Sequence, residues 1–507
     1  MNSDISFGPF NYTILFVYLA GMIGIGLWLA RRQKTTEDYF LAGRRMPWGI
    51  VAMSIFASLT SAISYMGVPS RAYQENISMI AGFLIGPILA IFLVYVFFPF
   101  YYRLKVTTSY EYIDRRFGRP ARFSVSALFL LARLGWLGTV IFAPSLALNI
   151  ATGINLYVAI ILMGVLATTY TTLGGLSAVL WTDVAQFVIL VGGGIWVSIS
   201  LLMEVPGGFD GIWAIGSAAD PPRTGGFNWN FSLTELCAPA AMISVFFMTM
   251  QDYGTDQVTV QRLMSVRGFR GMAKAILTNS VFDILIIGML LFMGMGLFAY
   301  YQAYPNLLDK GIKPDQILPF YIMQALPNGV SGLVITAIFA AAMSSMDSGI
   351  HSISTVVIND FVRPLRRTPL EDRADLALAR TLVVIIGIVA TVVAFWVSNF
   401  KHILEASATF VGLFNGPILA LFLMGVLTRR AHFGGWLTGM VIAIGGTLYF
   451  QKYTSLHWYY YFPSSFAIAF VTGYVMSLLI PGRLGQPQHT LWGRHSLAAT
   501  TGQDTTE

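Results

Sequence analysis

The chain has 507 residues, of which 56% are hydrophobic and 11% charged, and its formal net charge is +7. Soluble domains carry about 25% charged residues, so this composition excludes an ordinary soluble protein and predicts a polytopic helical membrane protein in a lipid bilayer. The positive charge does not indicate nucleic-acid binding, because the basic residues lie in short loops between apolar runs. The only cysteine, Cys237, excludes an intrachain disulfide.

Apolar runs follow one another along the chain and predict about thirteen transmembrane helices. Their approximate limits are 10–31, 47–71, 79–104, 123–151, 156–172, 175–203, 237–263, 275–303, 330–362, 374–399, 402–427, 433–451 and 463–480. The first run has no basic stretch before it, which indicates a retained span rather than a cleaved signal peptide. We therefore expect one transmembrane domain over residues 1–481, followed by a polar, mobile cytoplasmic tail over residues 482–507.

The distribution of basic residues orients the spans. Of the 31 Lys and Arg residues, 24 fall in one set of alternating loops and 5 in the other, with Arg71 and Arg133 inside spans. Cytoplasmic loops carry the basic excess in membrane proteins, so the N-terminus is predicted outside and the C-terminus in the cytoplasm. This interpretation counts Arg262, at the end of the seventh run, with the cytoplasmic loops. The predicted location is the plasma membrane, as in a bacterial inner membrane.

Two runs have the composition of interrupted helices. The second is crowded with Ser and Thr and ends with Gly67 and Pro69, and the seventh places Asp252 and Asp256 inside a span. The two runs cross the membrane in opposite senses, because they lie five spans apart. Interrupted spans at corresponding places in inverted halves indicate a transporter site near the midplane. The alternative is Ser/Thr packing in one helix and an interfacial helix end in the other.

The ninth run has a face of small residues. Ala341, Ser344, Ser345 and Ser348 follow the i, i+3, i+4, i+7 spacing and share one side of a helix. Small residues let another helix approach closely, and hydroxyl oxygens can also ligate a hard cation such as Na⁺. Asp183, near the start of the sixth run, also indicates a possible cation site, because a carboxylate close to hydrocarbon needs a cation or strong hydrogen bonds.

Four runs in register resemble the solute:sodium symporter family, which includes the sodium–glucose symporters. They are residues 174–186, 255–262, 341–348 and 414–422. The similarity covers about residues 10–480. It implies the LeuT-like inverted-repeat fold of five plus five helices, with core repeats at about 47–203 and 237–427 and peripheral helices at 10–31, 433–451 and 463–480.

The resemblance also implies where sodium binds. A first sodium ion would lie between the second and ninth spans, held by the carbonyls of Ala57, Thr60 and Ala341 and the hydroxyls of Ser344 and Ser345. Some members hold a second sodium, whose ligands here would be Asp183, Ser344, Asp347 and Ser348. The family often has a hydroxyl residue where Asp347 stands. Two carboxylates at one site would bind sodium more tightly, or one of them would be protonated.

The resemblance restricts the possible substrates but does not identify one. Sugar-transporting relatives present acid or amide side chains where this chain has Ile63 and Ser64, which disfavours glucose and galactose. The segment 61–69 is similar to the sialic-acid branch and to the monocarboxylate and vitamin branch. The candidate substrate-binding residues are Ser61, Ser64, Gln74, Phe83, Arg133, Trp136 and Asp252.

Two of these candidates favour different substrates. Trp136 stands where the sialic-acid branch has its substrate arginine, so that Arg133, one turn away, would bind an anion in its place. The alternative is that Arg133 extends to the cytoplasmic surface. Asp252, if ionised in the cavity, favours a polyol or a cation instead.

Import of a small polar organic solute coupled to sodium is the predicted function, with a sialic acid or a monocarboxylate favoured. A sugar or polyol symporter and a sensor with a transporter fold are the alternatives, although a sensor usually carries a signalling domain after its last span. Proton coupling through Asp183 or Asp347 is a further alternative. The chain is not predicted to be an enzyme, because the spans contain no nucleophile–base set and no metal motif.

Overall fold

The computed structural model describes residues 7–30, 36–99, 107–173, 175–225, 228–366, 372–400, 402–482 and 484–493. Ten helices in these ranges are long and apolar enough to cross a membrane, and a bent pair raises the number to eleven. The other two predicted runs are also helical but shorter, with 18 residues in one and 17 and 9 residues in the two parts of the other. The prediction of an all-helical polytopic membrane protein is therefore confirmed.

We number the helices at the predicted runs in chain order. They are α1 Pro9–Ala30, α2 Trp48–Leu59, α3 Ala62–Gln74, α4 Met79–Val96, α5 Arg119–Thr152, α6 Leu156–Leu173, α7 Leu176–Glu204, α8 Ala238–Gly254, α9 Gln257–Ser265, α10 Phe269–Ala303, α11 Val330–Val356, α12 Asp372–Val397, α13 Ile403–Leu427, α14 Phe433–Tyr453 and α15 Tyr461–Leu479. Short helices lie between some of them, at Thr36–Leu41, Tyr110–Phe117, Gly208–Ala218 and Ile317–Ala325.

The second span is broken, as its composition predicts, and Gly67 and Pro69 lie within the helix that follows the break. Helices α2 and α3 meet at an angle of 59°, and the two residues between them are Thr60 and Ser61. The Ser61 hydroxyl accepts a hydrogen bond from the backbone N–H of Ile63 at 3.1 Å and caps α3. The break is placed here because a serine satisfies the start of the new helix.

The seventh span is interrupted in the same way. Helix α8 ends at Gly254, and Asp256 caps α9 by accepting a hydrogen bond from the backbone N–H of Val258 at 2.8 Å. Asp252 lies in the last turn of α8, before the break. In both broken spans a short polar side chain therefore supplies the partner that the interrupted backbone loses.

Helix α11 is the centre of the structure, and 94% of its most apolar stretch is buried inside the protein. It packs against α1, α2, α5, α7 and α12. A helix enclosed on every side by protein can carry polar residues at membrane depth, because neighbouring helices supply their partners. The serine face of the ninth run lies on this helix.

The predicted mobile tail is partly wrong. Residues 484–493 pack against the short helix Tyr110–Phe117 and the end of α13. The Tyr112 hydroxyl donates to the carbonyl of His489 at 3.0 Å, and the Trp492 indole donates to the carbonyl of Leu427 at 2.9 Å. These contacts order a segment whose polar composition alone suggested mobility. Residues 494–507 lie outside the described residues.

Helices α14 and α15 approach each other closely at Gly439. A Cβ atom on Gly439 would lie 2.6 Å from the carbonyl oxygen of Ala469 and 2.6 Å from the backbone nitrogen of Gly473. Small residues permit this approach of two backbones.

We expect Gly439→Val to lower the free energy of unfolding by about 1–3 kcal/mol through overpacking, measured by thermal unfolding in detergent. Gly445→Val, in open space on the same helix, is the control, and equal melting temperatures would contradict this packing.

Candidate functional site

The break in the second span faces the serine side of α11. The Ser344 hydroxyl donates a hydrogen bond to the carbonyl of Ala57 at 2.6 Å and lies 3.2 Å from the carbonyl oxygen of Ala341. The last carbonyls of a helix have no partner within it, and α2 ends at Leu59. Three of the five residues predicted for the first sodium site are thus in direct contact, and all three are buried.

The other two predicted residues lie close to this contact. Thr60 is at the break itself and is buried. The Ser345 hydroxyl donates to the carbonyl of Ser58 at 3.0 Å, rather than to Ala57 or Thr60. Ser58 was missed by sequence reasoning, although its place next to Ala57 in the last turn of α2 is a usable signal.

The chemistry of this cluster suits a monovalent cation. Its polar atoms are neutral carbonyl and hydroxyl oxygens, and oxygen ligands are those that hard cations prefer. Among the described residues no group of three His, Cys, Asp or Glu side chains is arranged to hold a metal ion. The hydroxyl hydrogen bonds that now join α2 to α11 are the contacts that a sodium ion would replace.

Asp183 has a protein cation as its partner. One carboxylate oxygen, Oδ2, accepts hydrogen bonds from Ser54 Oγ at 2.5 Å and Ser58 Oγ at 3.4 Å, and pairs with Arg262 Nη2 at 3.1 Å. Both charged side chains are buried. The assignment of Arg262 to a cytoplasmic loop is therefore wrong: the break at Asp256 shortens the second half of the span, so that its last turn stays inside the protein.

Arg262 joins four helices. Its Nε donates to Ser54 Oγ on α2 at 2.8 Å, and its Nη2 donates to Ser348 Oγ on α11 at 2.5 Å as well as to Asp183 on α7. Ser348 Oγ also lies 2.8 Å from Ser58 Oγ. A buried charge is tolerated when its hydrogen-bonding capacity is met in this way.

The predicted second sodium site is only partly assembled. Asp183 and Ser348 are brought together through Arg262, and Ser344 lies one turn away, where its carbonyl accepts a hydrogen bond from Ser348 Oγ at 2.5 Å. Asp347 accepts a hydrogen bond from Thr171 of α6 at 2.7 Å and lies on the side of α11 that faces this helix. The two carboxylates of the predicted site therefore have different immediate partners.

Arg133 forms an ion pair with Asp256 inside the protein. Its guanidinium forms a short ion pair with the carboxylate of Asp256 and lies 4.5 Å from the ring centre of Trp136. Gln251 donates to the same carboxylate at 3.3 Å. The alternative that Arg133 extends to the cytoplasmic surface is wrong, because its side chain is buried in this contact.

The remaining substrate candidates are dispersed over several helices. Ser61 caps α3, Ser64 lies one turn further along it, and Gln74 at its far end donates to the carbonyl of Ser70 at 3.1 Å. Phe83 lies on α4, partly buried against the core. Among these candidates, Arg133 and Trp136 are in direct contact.

A polar cluster between the seventh and eighth spans was missed by sequence reasoning. Tyr253 donates a short hydrogen bond to the carboxylate of Asp283, and Asn279 donates to the hydroxyl of Tyr253 at 2.6 Å and to Asp283 at 3.2 Å. The available signal was Asp283 itself, since an ionisable residue within an apolar span is a functional-site hypothesis by default. The i, i+4 spacing of Asn279 and Asp283 places both on one face.

The fold and this site define a membrane transporter that couples solute movement to a cation. A sequence model of the Sodium:solute symporter family matches residues 39–443, and the chain belongs to that family. The sodium/sialic acid symporter SiaT of Proteus mirabilis is 33% identical over 90% of this chain and 92% of its own length. NanT of Aliivibrio fischeri, also a sodium/sialic acid symporter, is 33% identical over 95% and 96%, and human sodium-coupled monocarboxylate transporter 1 is 31% identical over 86% and 72%.

Solved structures agree with this assignment. A substrate-bound, outward-open Na⁺-coupled sialic acid symporter is similar with a TM-score of 0.87 and 31% identity, covering 95% of this chain and all of the other. Mhp1, a nucleobase-cation-symport-1 family transporter, has a TM-score of 0.53 at 16% identity over 91% and 95% of the chains, which supports the fold alone. The predicted LeuT-like fold, sodium coupling and transport rather than enzymatic activity are therefore confirmed.

The Arg133–Asp256 pair predicts a large loss of stability when one partner is removed. Asp256→Asn leaves a buried guanidinium without its counter-ion, which costs about 3–5 kcal/mol, and we expect a lower melting temperature. The double variant Arg133→Met with Asp256→Asn removes both charges and should recover part of the loss. Asp375→Asn, whose partner Arg363 is partly exposed at 39%, is the control. The pairing would be refuted if Asp256→Asn melted no earlier than this control.

Proposed function

We propose that this protein imports a small polar organic solute together with sodium by alternating access to a site at the two broken spans. The single observation that carries the proposal is the contact of Ser344 with the carbonyl of Ala57 at the break of α2. It couples the central helix to a helix end whose last carbonyls have no partner within the helix itself. Sodium would replace this hydrogen bond with bonds to both oxygen atoms and hold α2 and α11 in the arrangement that completes the substrate site.

The proposed first sodium site consists of Ala57, Thr60, Ala341, Ser344 and Ser345. Carbonyls of an unwound segment and hydroxyls of a packed helix are the usual ligands of coupling ions in broken-helix transporters. The proposed second site consists of Asp183, Ser344, Asp347 and Ser348.

One charge crossing 100 mV releases roughly 2.3 kcal/mol, and a tenfold sodium gradient adds about 1.4 kcal/mol. One ion would then support roughly 500-fold accumulation, and two ions about 10⁵-fold.

A sialic acid is the proposed substrate, with a monocarboxylate as the neighbouring choice. Two relatives at 33% identity are sodium/sialic acid symporters over nearly the whole of both chains. The proposed substrate-binding residues remain Ser61, Ser64, Gln74, Phe83, Arg133, Trp136 and Asp252. A carboxylate substrate would compete with Asp256 for the guanidinium of Arg133.

A neutral polyol is the second candidate, and one observation favours it. Arg133 is already neutralised by Asp256, while the nearby Asp252 is only partly buried. An environment with a balanced arginine and an additional carboxylate favours hydroxyl donors over an anion. The two candidates therefore differ in the charge that the cavity has to accept.

The proposed arrangement in the membrane follows from the basic residues. We propose the N-terminus outside, the C-terminus in the cytoplasm, core repeats at 47–203 and 237–427, and peripheral helices at 10–31, 433–451 and 463–480. With Arg262 in the protein interior, most basic loop residues still lie on the proposed cytoplasmic side. Residues 482–507 form the cytoplasmic tail in this arrangement.

Sodium-dependent thermal stabilisation tests the coupling and the substrate together. A ligand raises the melting temperature only when it binds the folded state more strongly than the unfolded state. We expect sodium to stabilise the protein and a sialic acid to add to this effect, in a panel that includes monocarboxylates, sugars, polyols and amino acids. An absence of any sodium effect would contradict the proposed function. Uptake that persists without sodium and follows a pH gradient would indicate proton coupling instead.

The first sodium site has its own test. Ser345→Ala removes one hydroxyl ligand, and we expect the sodium concentration at half-maximal stabilisation to rise about tenfold, which corresponds to about 1.4 kcal/mol. Ser352→Ala is the matched control, because this serine lies on the same helix but donates to the carbonyl of Gly349 within it. An unchanged sodium midpoint in Ser345→Ala would reject this ligand set.

A further inference from the structure

The Arg262 cluster lies next to the first sodium site, on its cytoplasmic side in the proposed orientation. Asp183 is in the second turn of α7, and Arg262 is in the last turn of α9. Ser348 lies one turn beyond Ser344 along α11, in the direction of the cytoplasm. An ion leaving the first site inward therefore meets the guanidinium of Arg262 before it meets the aqueous side.

The guanidinium of Arg262 binds oxygen atoms that could also ligate a sodium ion. It donates to two hydroxyl oxygens, Ser54 Oγ at 2.8 Å and Ser348 Oγ at 2.5 Å, and to the carboxylate of Asp183 at 3.1 Å. Hydroxyl and carboxylate oxygens are also the ligands that sodium prefers. Arginine and a passing sodium ion therefore compete for the same oxygen atoms.

Ser58 connects the proposed first sodium site to the Arg262 cluster. The carbonyl of Ser58 accepts the hydrogen bond of Ser345 in the first site, while its hydroxyl lies 2.8 Å from Ser348 Oγ and donates to Asp183 at 3.4 Å. The last turn of α2 thus provides oxygen atoms to both clusters. A continuous set of polar atoms leads from the first sodium site to Arg262.

The carboxylate of Asp183 has capacity for a further cation. All three of its hydrogen-bond donors are on Oδ2, whereas Oδ1 is buried and has no hydrogen-bond partner among the residues that the structure describes. A buried carboxylate oxygen without a partner carries a desolvation cost. A sodium ion can therefore approach Asp183 through Oδ1 while Arg262 still holds Oδ2.

We propose that Arg262 is the inner gate of the ion pathway, a tethered cation that closes the route to the cytoplasm and is displaced by sodium. Two cations at one carboxylate repel each other, so arrival of the ion weakens the bond of Arg262 to Asp183. Helix α9, which carries Arg262 and begins at the break after Asp256, then moves away from α2, α7 and α11. Once the ion has left, the arginine pairs with Asp183 again. This mechanism rests on the proposed sodium-coupled transport.

Sodium leak in the absence of substrate tests the gate. Proteoliposomes with ²²Na⁺ outside measure ion entry through wild type, Arg262→Lys and Arg262→Gln. We expect Arg262→Gln to raise substrate-independent sodium entry at least tenfold and Arg262→Lys to give an intermediate leak, because lysine keeps the charge but not the forked geometry. Arg270→Gln, at an exposed position that is cytoplasmic in the proposed orientation, is the control and should not leak.

A double variant separates gating from charge balance. Asp183→Asn with Arg262→Gln has no unpaired buried charge, so a purely structural role predicts sodium entry as low as in wild type. The gate predicts a leak in this variant too, since no cation closes the route. A tight double variant would overturn the proposal, as would a folded Arg262→Gln that does not leak. A wild-type protein without any sodium response would instead refute the proposed function, so the two failures can be distinguished.

Discussion

The structure depends on one constraint, which is that no backbone polar group at membrane depth can remain without a partner. The break between α2 and α3 interrupts a helix inside the protein and frees its last carbonyls. Serine hydroxyls of α11 meet these carbonyls, with Ser344 on Ala57 and Ser345 on Ser58. The site is therefore the place where an interrupted backbone is satisfied by side chains, and such bonds can be exchanged for bonds to an ion.

The same constraint governs the charged residues of the interior. Arg133 pairs with Asp256 at the second break, and Arg262 pairs with Asp183 at the end of the same span. Each arginine is thus balanced by a carboxylate on a different helix, and both pairs involve the interrupted seventh span. Movement of the half-helix α9 would have to break or carry these pairs, so the two ion pairs constrain how this half-helix can move.

Much of this arrangement could be predicted from local sequence features. The apolar runs located the helices, the Ser/Thr content of the second run and the carboxylates of the seventh indicated the breaks, and the i, i+3, i+4, i+7 spacing placed the serine face on one side of α11. Composition alone did not place the first break, which lies at Thr60 and Ser61. Capping by Ser61 decided it, and a cap depends on the backbone around it rather than on composition.

The partners of the buried charges lay beyond the reach of the sequence. Asp183 and Arg262 are 79 residues apart, and Arg133 and Asp256 are 123 residues apart. The sequence pattern assigns Arg262 to a loop, because a residue at the end of an apolar run has the same local pattern whether it is buried or exposed. The sequence by itself determined the membrane class, the helices, the family and the presence of costly intramembrane charges. Only the tertiary structure decided which charges meet, because that depends on how helices distant in the chain pack together.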